Sequence, residues 1–569
     1  MKKIAIPVIV ILLGLYTLAN AGDIDWEQIG SIKPRHAKEI QSSNWSIGAE
    51  TMDRDYTFYK NWNAYLGPLG VKKARIQGGW AKTEKQKGVY DFAWLDEIIF
   101  DMNDQGVEPW MCLCYGNSLY ADGGGVRLGA QIPKSEDSLR AWTLWVRAMV
   151  SRYMDVIDEW EIWNEPNLRK SNAAQDYARF MLHTARHIRR IQPEAKILAM
   201  STAGVDTKFV REVLEIAKRK NELDLIDQIT YHPYTKNPDT SYPAVEKFRR
   251  MVQEFSPHLT IRQGENGCPS MRRETKALRG YDWTEVSQAK WALRRLLGDL
   301  GRDIESSYFA IMDMKYPDEM NAKGLLKSND DQTVAYAKPA YYAVQNLASV
   351  FDNRLRRVKN FDCKVDTTKP VSAFAYENMK TGLHVVVIWL DGETPSDSVA
   401  KTKVSFTCSN VLIKKPVYVD LREGGVFEIP GRNVRLDGGK NLFDKVPVYD
   451  SPVLITDRAN LHIIAISEED KRSGVVWVKR SGSLKLTALR KTYSPDAERV
   501  PIQQSRLYGR KHERSKCRCG PPQLEDTGLL PAKSRPGTGF HGGEGLPAGC
   551  DCFAHWTFGQ RGQGWRARL

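Results

Sequence analysis

The chain has little cysteine, with nine residues in 569. That is too few for a fold stapled by disulfides, so Cys112, Cys114 and Cys268, near predicted strand ends, read as small buried thiols. It also lacks a long apolar run beyond its first residues. Met1-Lys2-Lys3 is basic, Ile4 to Leu18 is apolar, and Ala19-Asn20-Ala21 is a small-residue cleavage pattern. The apolar run is about 15 residues and contains Pro7, short of the ~20 that a spanning helix needs. Residues 1–21 are therefore expected to be a signal peptide that sends the protein out of the cytoplasm, secreted or periplasmic, without stable membrane insertion. No cysteine follows the run to carry a lipid. No G-x-G-x-x-G follows the first predicted strand, which removes the usual support for a dinucleotide site.

Most of the chain also lacks an excess of either charge. The formal net charge is +14, yet Lys471 to Leu569 alone holds 19 Lys/Arg against 7 Asp/Glu. The nearly balanced remainder gives no reason to expect a nucleic-acid partner. Residues 469–569 have scattered glycine and proline without apolar periodicity, and are expected to form a disordered basic tail. Cys517-Arg518-Cys519 and Cys550-Asp551-Cys552 have the wrong spacing for zinc. His183 and His187 are four apart, but no Glu follows His183 and their helix belongs to an outer ring. Neither metal nor cofactor is expected.

What the sequence does have is 42% hydrophobic and 10% aromatic residues, enough for a large core. Apolar runs end near Trp45–Gly48, Ala74–Ile76, Trp110–Leu113, Ile162–Trp163, Ile197–Met200, Ile226–Thr230, Leu259–Ile261 and Tyr308–Met312. Helical periodicity follows each, as in Tyr177, Phe180, Met181, Thr184 and Ile188. Eight such units in about 300 residues predict a (β/α)8 TIM barrel over 22–351. From about Arg354 the apolar period falls to about two residues. Ser372–Tyr376, Leu383–Trp389, Lys403–Thr407, Pro416–Asp420, Gly425–Ile429 and Val453–Ile455 predict a small antiparallel β-sandwich over 352–468.

The chemistry centres on Glu159-Trp160-Glu161-Ile162-Trp163-Asn164-Glu165-Pro166-Asn167. A β-prone run ends in Asn-Glu-Pro, and proline cannot continue a central strand, so Glu165 is presented at the carboxyl end of strand four. Thr260-Ile261-Arg262-Gln263-Gly264-Glu265 places a second carboxyl at the end of strand seven, across the barrel mouth. Two converging carboxyls are what glycoside hydrolysis needs: one protonates the leaving oxygen, the other attacks or activates water. A separation of about 5 Å gives retention of configuration, and about 6.5–9.5 Å leaves room for an inverting water. An inverting glycosidase, a transglycosylase and a barrel that binds glycan without cutting it are the alternatives.

Trp163-Asn164-Glu165-Pro166 with a Glu on strand seven resembles clan A of the retaining glycoside hydrolases, over roughly Trp45 to Phe351. The Glu-Ile-Trp-Asn-Glu-Pro-Asn run and His232-Pro233-Tyr234 are most similar to family 39, the β-xylosidase and α-L-iduronidase group. The resemblance implies a carbohydrate substrate, Glu165 as acid/base and Glu265 as nucleophile. It implies Asn164 as a hydrogen-bond partner of the sugar 2-hydroxyl and Arg75 as the arginine beside the nucleophile. His232 and Tyr234 would contact nucleophile and sugar. Trp80, Tyr115 and Asn117, after strands two and three, could line the sugar site, an aromatic there stacking on a ring face. Lys315, together with Lys327 after strand eight, points to an anionic sugar.

Overall fold

The computed structural model describes residues 24–168, 173–437 and 440–467. The expected signal peptide and basic tail, with the cysteine pairs of that tail, lie outside the described residues.

Eight parallel strands close into a barrel in chain order: Trp45–Gly48, Lys73–Gln77, Glu108–Leu113, Glu159–Ile162, Lys196–Ala203, Gln228–His232, Thr260–Asn266 and Glu305–Tyr308. The last pairs back on the first, with Ile47 opposite Tyr308. These strands read as near-continuous apolar runs because both faces are covered, by the barrel interior and by the outer helices. The helix Glu136–Tyr153 shows how the ring is laid down. Ser135 caps it by accepting the Ser138 N–H, and Trp142, Trp145, Val146, Met149 and Val150 form its buried stripe. Strand eight stops at Tyr308, short of the Met312 expected from the apolar run. From there the backbone leaves the barrel ladder: Ile311 N–H donates to Gly48 O, and Leu325 N–H to Ala310 O.

The residues after the barrel form two antiparallel sheets. An eight-stranded sheet contains Val371–Asn378, His384–Leu390, Val453–Asp457, Pro416–Asp420 and Gly425–Glu428, and takes in Gln28–Ile32 from the chain's start. A four-stranded sheet of Asp362–Asp366, Thr402–Ser409, Lys440–Val448 and Val434–Asp437 packs on one of its faces. Along His384–Leu390 the residues alternate between two cores. Val386 and Ile388 join the core shared with the small sheet, while Val385, Val387 and Trp389 join the core of the barrel. The large sheet is thus the middle layer, and its strands are apolar on both sides.

Candidate active site

The Asn-Glu-Pro turn is built by its neighbours. Trp163 N–H donates to Leu113 O at 3.0 Å, the last tie to the ladder. Its ring packs against Tyr115, Trp142 and Phe180. Trp163 and Glu165 both take left-handed backbone angles, φ +71° and +48°, a strained conformation for side chains of this size. The anchored tryptophan and the Glu165 N–H bond to Ser201 O (2.9 Å) hold that conformation. Pro166 then opens a short 3-10 turn, Pro166–Leu168. On strand seven, Glu265 is the penultimate residue. A Cβ on Gly267, two residues on, would lie 1.8 Å from Phe309 O, so only glycine lets strands seven and eight approach there.

The ionisable oxygens of Glu165 and Glu265 and a ring nitrogen of His232 lie within 4.8 Å of one another. Tyr234 Oη donates to Glu265 Oε1 at 2.8 Å, and Arg75 Nη1 donates to Glu265 Oε2 at 2.9 Å. His232 Nδ1 is 3.0 Å from Glu165 Oε1 and 3.8 Å from Glu265 Oε2. Its Nε2 is 3.1 Å from Ser201 Oγ, which accepts from Arg75 Nη2 at 3.1 Å. Arg75 also donates to Asn164 Oδ1 (2.8 Å), and Asn164 Nδ2 donates to Tyr115 Oη (2.9 Å). Arg75 is therefore the hub, and it lies within strand two, fully buried inside the barrel. Burial alone would raise the pKa of Glu265. His232, the Arg75 guanidinium, the Tyr234 hydroxyl and Lys323 together outweigh it and hold the carboxyl below its usual value.

Three carboxyls meet Arg75, because the buried Glu161 (2.6 Å) and Glu50 (3.0 Å) pair with it as well as Glu265. Burial, reinforced by the charges of Glu265 and Glu161 against the pull of Arg75, pushes Glu50 well up. Among the described residues, Glu165, His232 and Glu265 are the one group of side chains close enough to share a metal ion. Arg75 beside it, and Lys323 described below, make that place electrostatically poor for a further positive centre.

The remaining expected residues, Tyr115 apart, lie elsewhere. Trp80 is fully buried, donates to Glu84, and packs against Tyr120, Trp142 and Trp145, so it presents no face to a sugar. Asn117 spends its side chain on its own loop, donating to Glu84 O and accepting the Leu119 N–H. Lys315 is exposed and donates to Asp330 O at 2.8 Å. Tyr115 does reach the site, edge-on to Trp163 and bonded to Asn164. His183 and His187 meet edge-on on the outer helix, ring centroids 4.7 Å apart, with His183 bonded to Thr143. Glu50, Glu161, Ser201 and Lys323 were not anticipated. Glu161 carries a usable signal, a charged residue alternating within an otherwise apolar strand. Lys323, in an irregular loop, carries none.

A closed parallel barrel with two carboxyls converging at its mouth, one oxygen of each within 4.8 Å of the other, is the arrangement that glycoside hydrolysis needs. Residues 72–257 match the model for Glycosyl hydrolases family 39. The protein is a glycoside hydrolase, and its likeness to family 39 lies in residues 72–257 of the barrel. None of the curated proteins matches the sequence. Among solved structures, a family 39 glycoside hydrolase from the gut symbiont Bacteroides cellulosilyticus WH2 is similar at 18% identity. The alignment covers 73% of this chain and 81% of that one, with a TM-score of 0.54, a likeness of fold. The GH39 enzyme from Xanthomonas axonopodis pv. citri is 18% identical (75% and 95% covered, TM-score 0.49). A monomeric β-xylosidase from Caulobacter crescentus CB15 is 15% identical (75% and 97% covered, TM-score 0.49).

Proposed function

We propose that the protein is exported and degrades a plant or algal polysaccharide, or an oligosaccharide from one, by double displacement at Glu165 and Glu265. The observation that carries this reading is the unequal treatment of the two carboxyls. Glu265 receives an arginine and a tyrosine hydroxyl and is kept ionised, ready to attack the anomeric carbon. Glu165 lies beside His232, with no arginine bonded to it among the described residues, and takes the acid's part, giving its proton to the leaving oxygen. A covalent glycosyl–Glu265 ester results, and its formation removes the negative charge opposite Glu165. Glu165, now ionised, takes a proton from water as that water attacks the ester from the vacated side. Asn164, oriented by Arg75 and Tyr115, offers its amide to the sugar 2-hydroxyl, where a bond strengthens as the oxocarbenium-like transition state forms. Arg75 and Tyr234 hold the nucleophile, and His232 spans both carboxyls.

The test is chemical. A 2-deoxy-2-fluoro glycoside with an activated leaving group should inactivate the enzyme and add its glycosyl mass to the peptide carrying Glu265. Glu165→Ala should keep more activity on activated aryl glycosides than on unactivated ones, and regain rate with azide. Labelling of no residue, with inverted product by NMR, would remove the double-displacement reading. Export is read from the N-terminus of the mature protein, expected near Gly22.

A further inference from the structure

Four lysines are buried among the described residues: Lys72, Lys290, Lys323 and Lys338. Three have the acceptors that a buried ammonium requires. Lys72 donates to Gly106 O and Ala37 O. Lys290 donates to Ser396 O (2.8 Å) and pairs with Asp450 (2.7 Å). Lys338 donates to Ser270 Oγ and Gly324 O (both 2.9 Å) and pairs with Asp313 (2.7 Å). Lys323 alone has no acceptor among the described residues, although it is 4% exposed. Its Nζ lies over the Tyr234 ring, 3.8 Å from the centroid, and 5.8 Å from that of Phe309.

The placement is built. Lys323 O accepts from Ala310 N–H and from Gln288 Nε2, both at 3.3 Å. Gly324 follows because a Cβ there would meet Asp313 N at 2.0 Å, and its own N–H donates to Asp313 Oδ1. Ala322 O, on the other side, accepts from Ser270 N–H. The backbone is fixed on both flanks, and the free ammonium lies over the ring whose hydroxyl holds Glu265. Among the described residues near the mouth, Arg54 is engaged with Asp53 and Gln77, and Arg273 with Glu319 and Asn321. Burial, with Arg273 adding to it, lowers Lys323 to about 7 despite the opposing pull of Glu265, Cys268 and Glu165. Keeping a cation at such cost is economical only if something negative arrives to meet it. A neutral sugar brings nothing of that kind. An anionic sugar, approaching a hollow that already holds two carboxyls, needs a cation there to be admitted.

We propose that Lys323 is a specificity-determining residue that makes the sugar bound against Glu265 an anionic one, bearing a carboxylate or a sulfate ester. This rests on the glycosidase reading and names its substrate class. The test pairs aryl glycosides of one ring and one anomeric configuration that differ only in the substituent on C5: hydrogen, hydroxymethyl, carboxylate, sulfated hydroxymethyl. The carboxylate and sulfate arms tell the two anion sources apart. The wild type should prefer one anionic member over its neutral partners by at least about tenfold in kcat/KM. Lys323→Met should erase that preference, losing about 10–10²-fold on the anionic substrate and far less on the neutral ones, as expected for one charged hydrogen bond. Lys323→Arg should keep part of it. Removing a buried charge that lacks a partner should also raise the thermal midpoint of Lys323→Met, whereas loss of a structural lysine would lower it. Equal or better turnover of neutral members, or the same change on all members in Lys323→Met, overturns the proposal and leaves the glycosidase intact. If no member is cleaved, thermal shift with free uronate, sugar sulfate and neutral sugar decides. Stabilisation by an anionic sugar that is lost in Lys323→Met supports the proposal, and its absence overturns it.

Discussion

Arg75 makes contacts to Glu161, Glu50, Glu265, Asn164, Ser201 and the Cys112 thiol, with no atom of its side chain exposed. A lysine could meet one or two of these, because it lacks the planar fork. Arg75→Lys should therefore lower kcat by about 10² or more, the scale of losing one preorganised electrostatic contact at a reacting centre. The same contact sets a pH limit. With His232 and Arg75 holding Glu265 below the usual carboxylate range, the acidic limb of kcat/KM should lie below that range too. Tyr234→Phe removes one stabilising hydroxyl and should move that limb upward, read directly from a pH–rate profile. At this scale the sequence was readable where chemistry coincides with a strand end: Glu165, Glu265, Asn164 and His232 all stand at one. It misled at Trp80, Asn117 and Lys315, because position after a strand says nothing of which way a side chain turns. Lys323 was hidden because its significance is the lack of a partner, a property of the folded surroundings alone.

The barrel strands were legible because a parallel strand covered on both faces is an apolar run cut off by glycine, proline or a charge. The strands Asp362–Asp366 and Val434–Asp437 were not, since they edge the small sheet and Asp362-Cys363-Lys364-Val365-Asp366 has its charged residues out in water. Gln28–Ile32 was hidden for another reason: its partners Gly425–Glu428 and Ile463–Ala465 lie some 400 residues on, beyond any local pattern. Within the barrel, the same strands that carry the catalytic carboxyls carry a second ion cluster further back along their length. Arg262 of strand seven, fully buried, is bidentate on Glu159 of strand four (2.6 and 2.9 Å), with Lys73 also on Glu159 (2.6 Å) and Trp110 beneath the guanidinium. Burial would raise Glu159, but Arg262, Lys73 and Lys196 overcome it and hold it far below its ordinary range. A carboxyl depressed in the folded state adds stability above its unfolded pKa, about 4.3, and loses it as pH falls towards the folded value. Arg262→Met leaves Glu159 buried with weaker partners. It should cost about 3–5 kcal/mol at pH 7 in denaturant unfolding, a deficit that shrinks below about pH 4, with kcat nearly unchanged.

The helix Glu285–Leu300 is where barrel and sandwich become one body. Its sequence shows one apolar stripe, Val286, Ala289, Leu293 and Leu297, yet the helix is buried on nearly every side, including Lys290, Arg294 and Arg295. Arg294 pairs with Asp239 of the barrel (2.6 Å) and donates to Glu393 O and Asp391 O of the sandwich, both at 2.9 Å. Lys290 reaches Ser396 O and Asp450, and Tyr281 donates to Pro395 O. These are charges whose acceptors are supplied by the other layer, so separating the layers breaks those bonds and bares the apolar surface around them to water. The sheet in turn takes its Gln28–Ile32 strand from before the barrel, which ties the beginning of the described chain to its end. A chain of residues 24–351 should consequently be insoluble or molten, while one of residues 24–467 melts cooperatively and keeps its activity. Arg294→Met in the longer chain isolates the cause. It should lower the denaturation midpoint by about 3–5 kcal/mol of stability, with barrel and sandwich still unfolding in one transition and turnover per folded molecule preserved. Two separate transitions in the unsubstituted protein, or a soluble active barrel on its own, would mean that the apolar contacts of Val385, Val387 and Trp389 merely rest on the barrel and that these charged ties are ornaments of its surface.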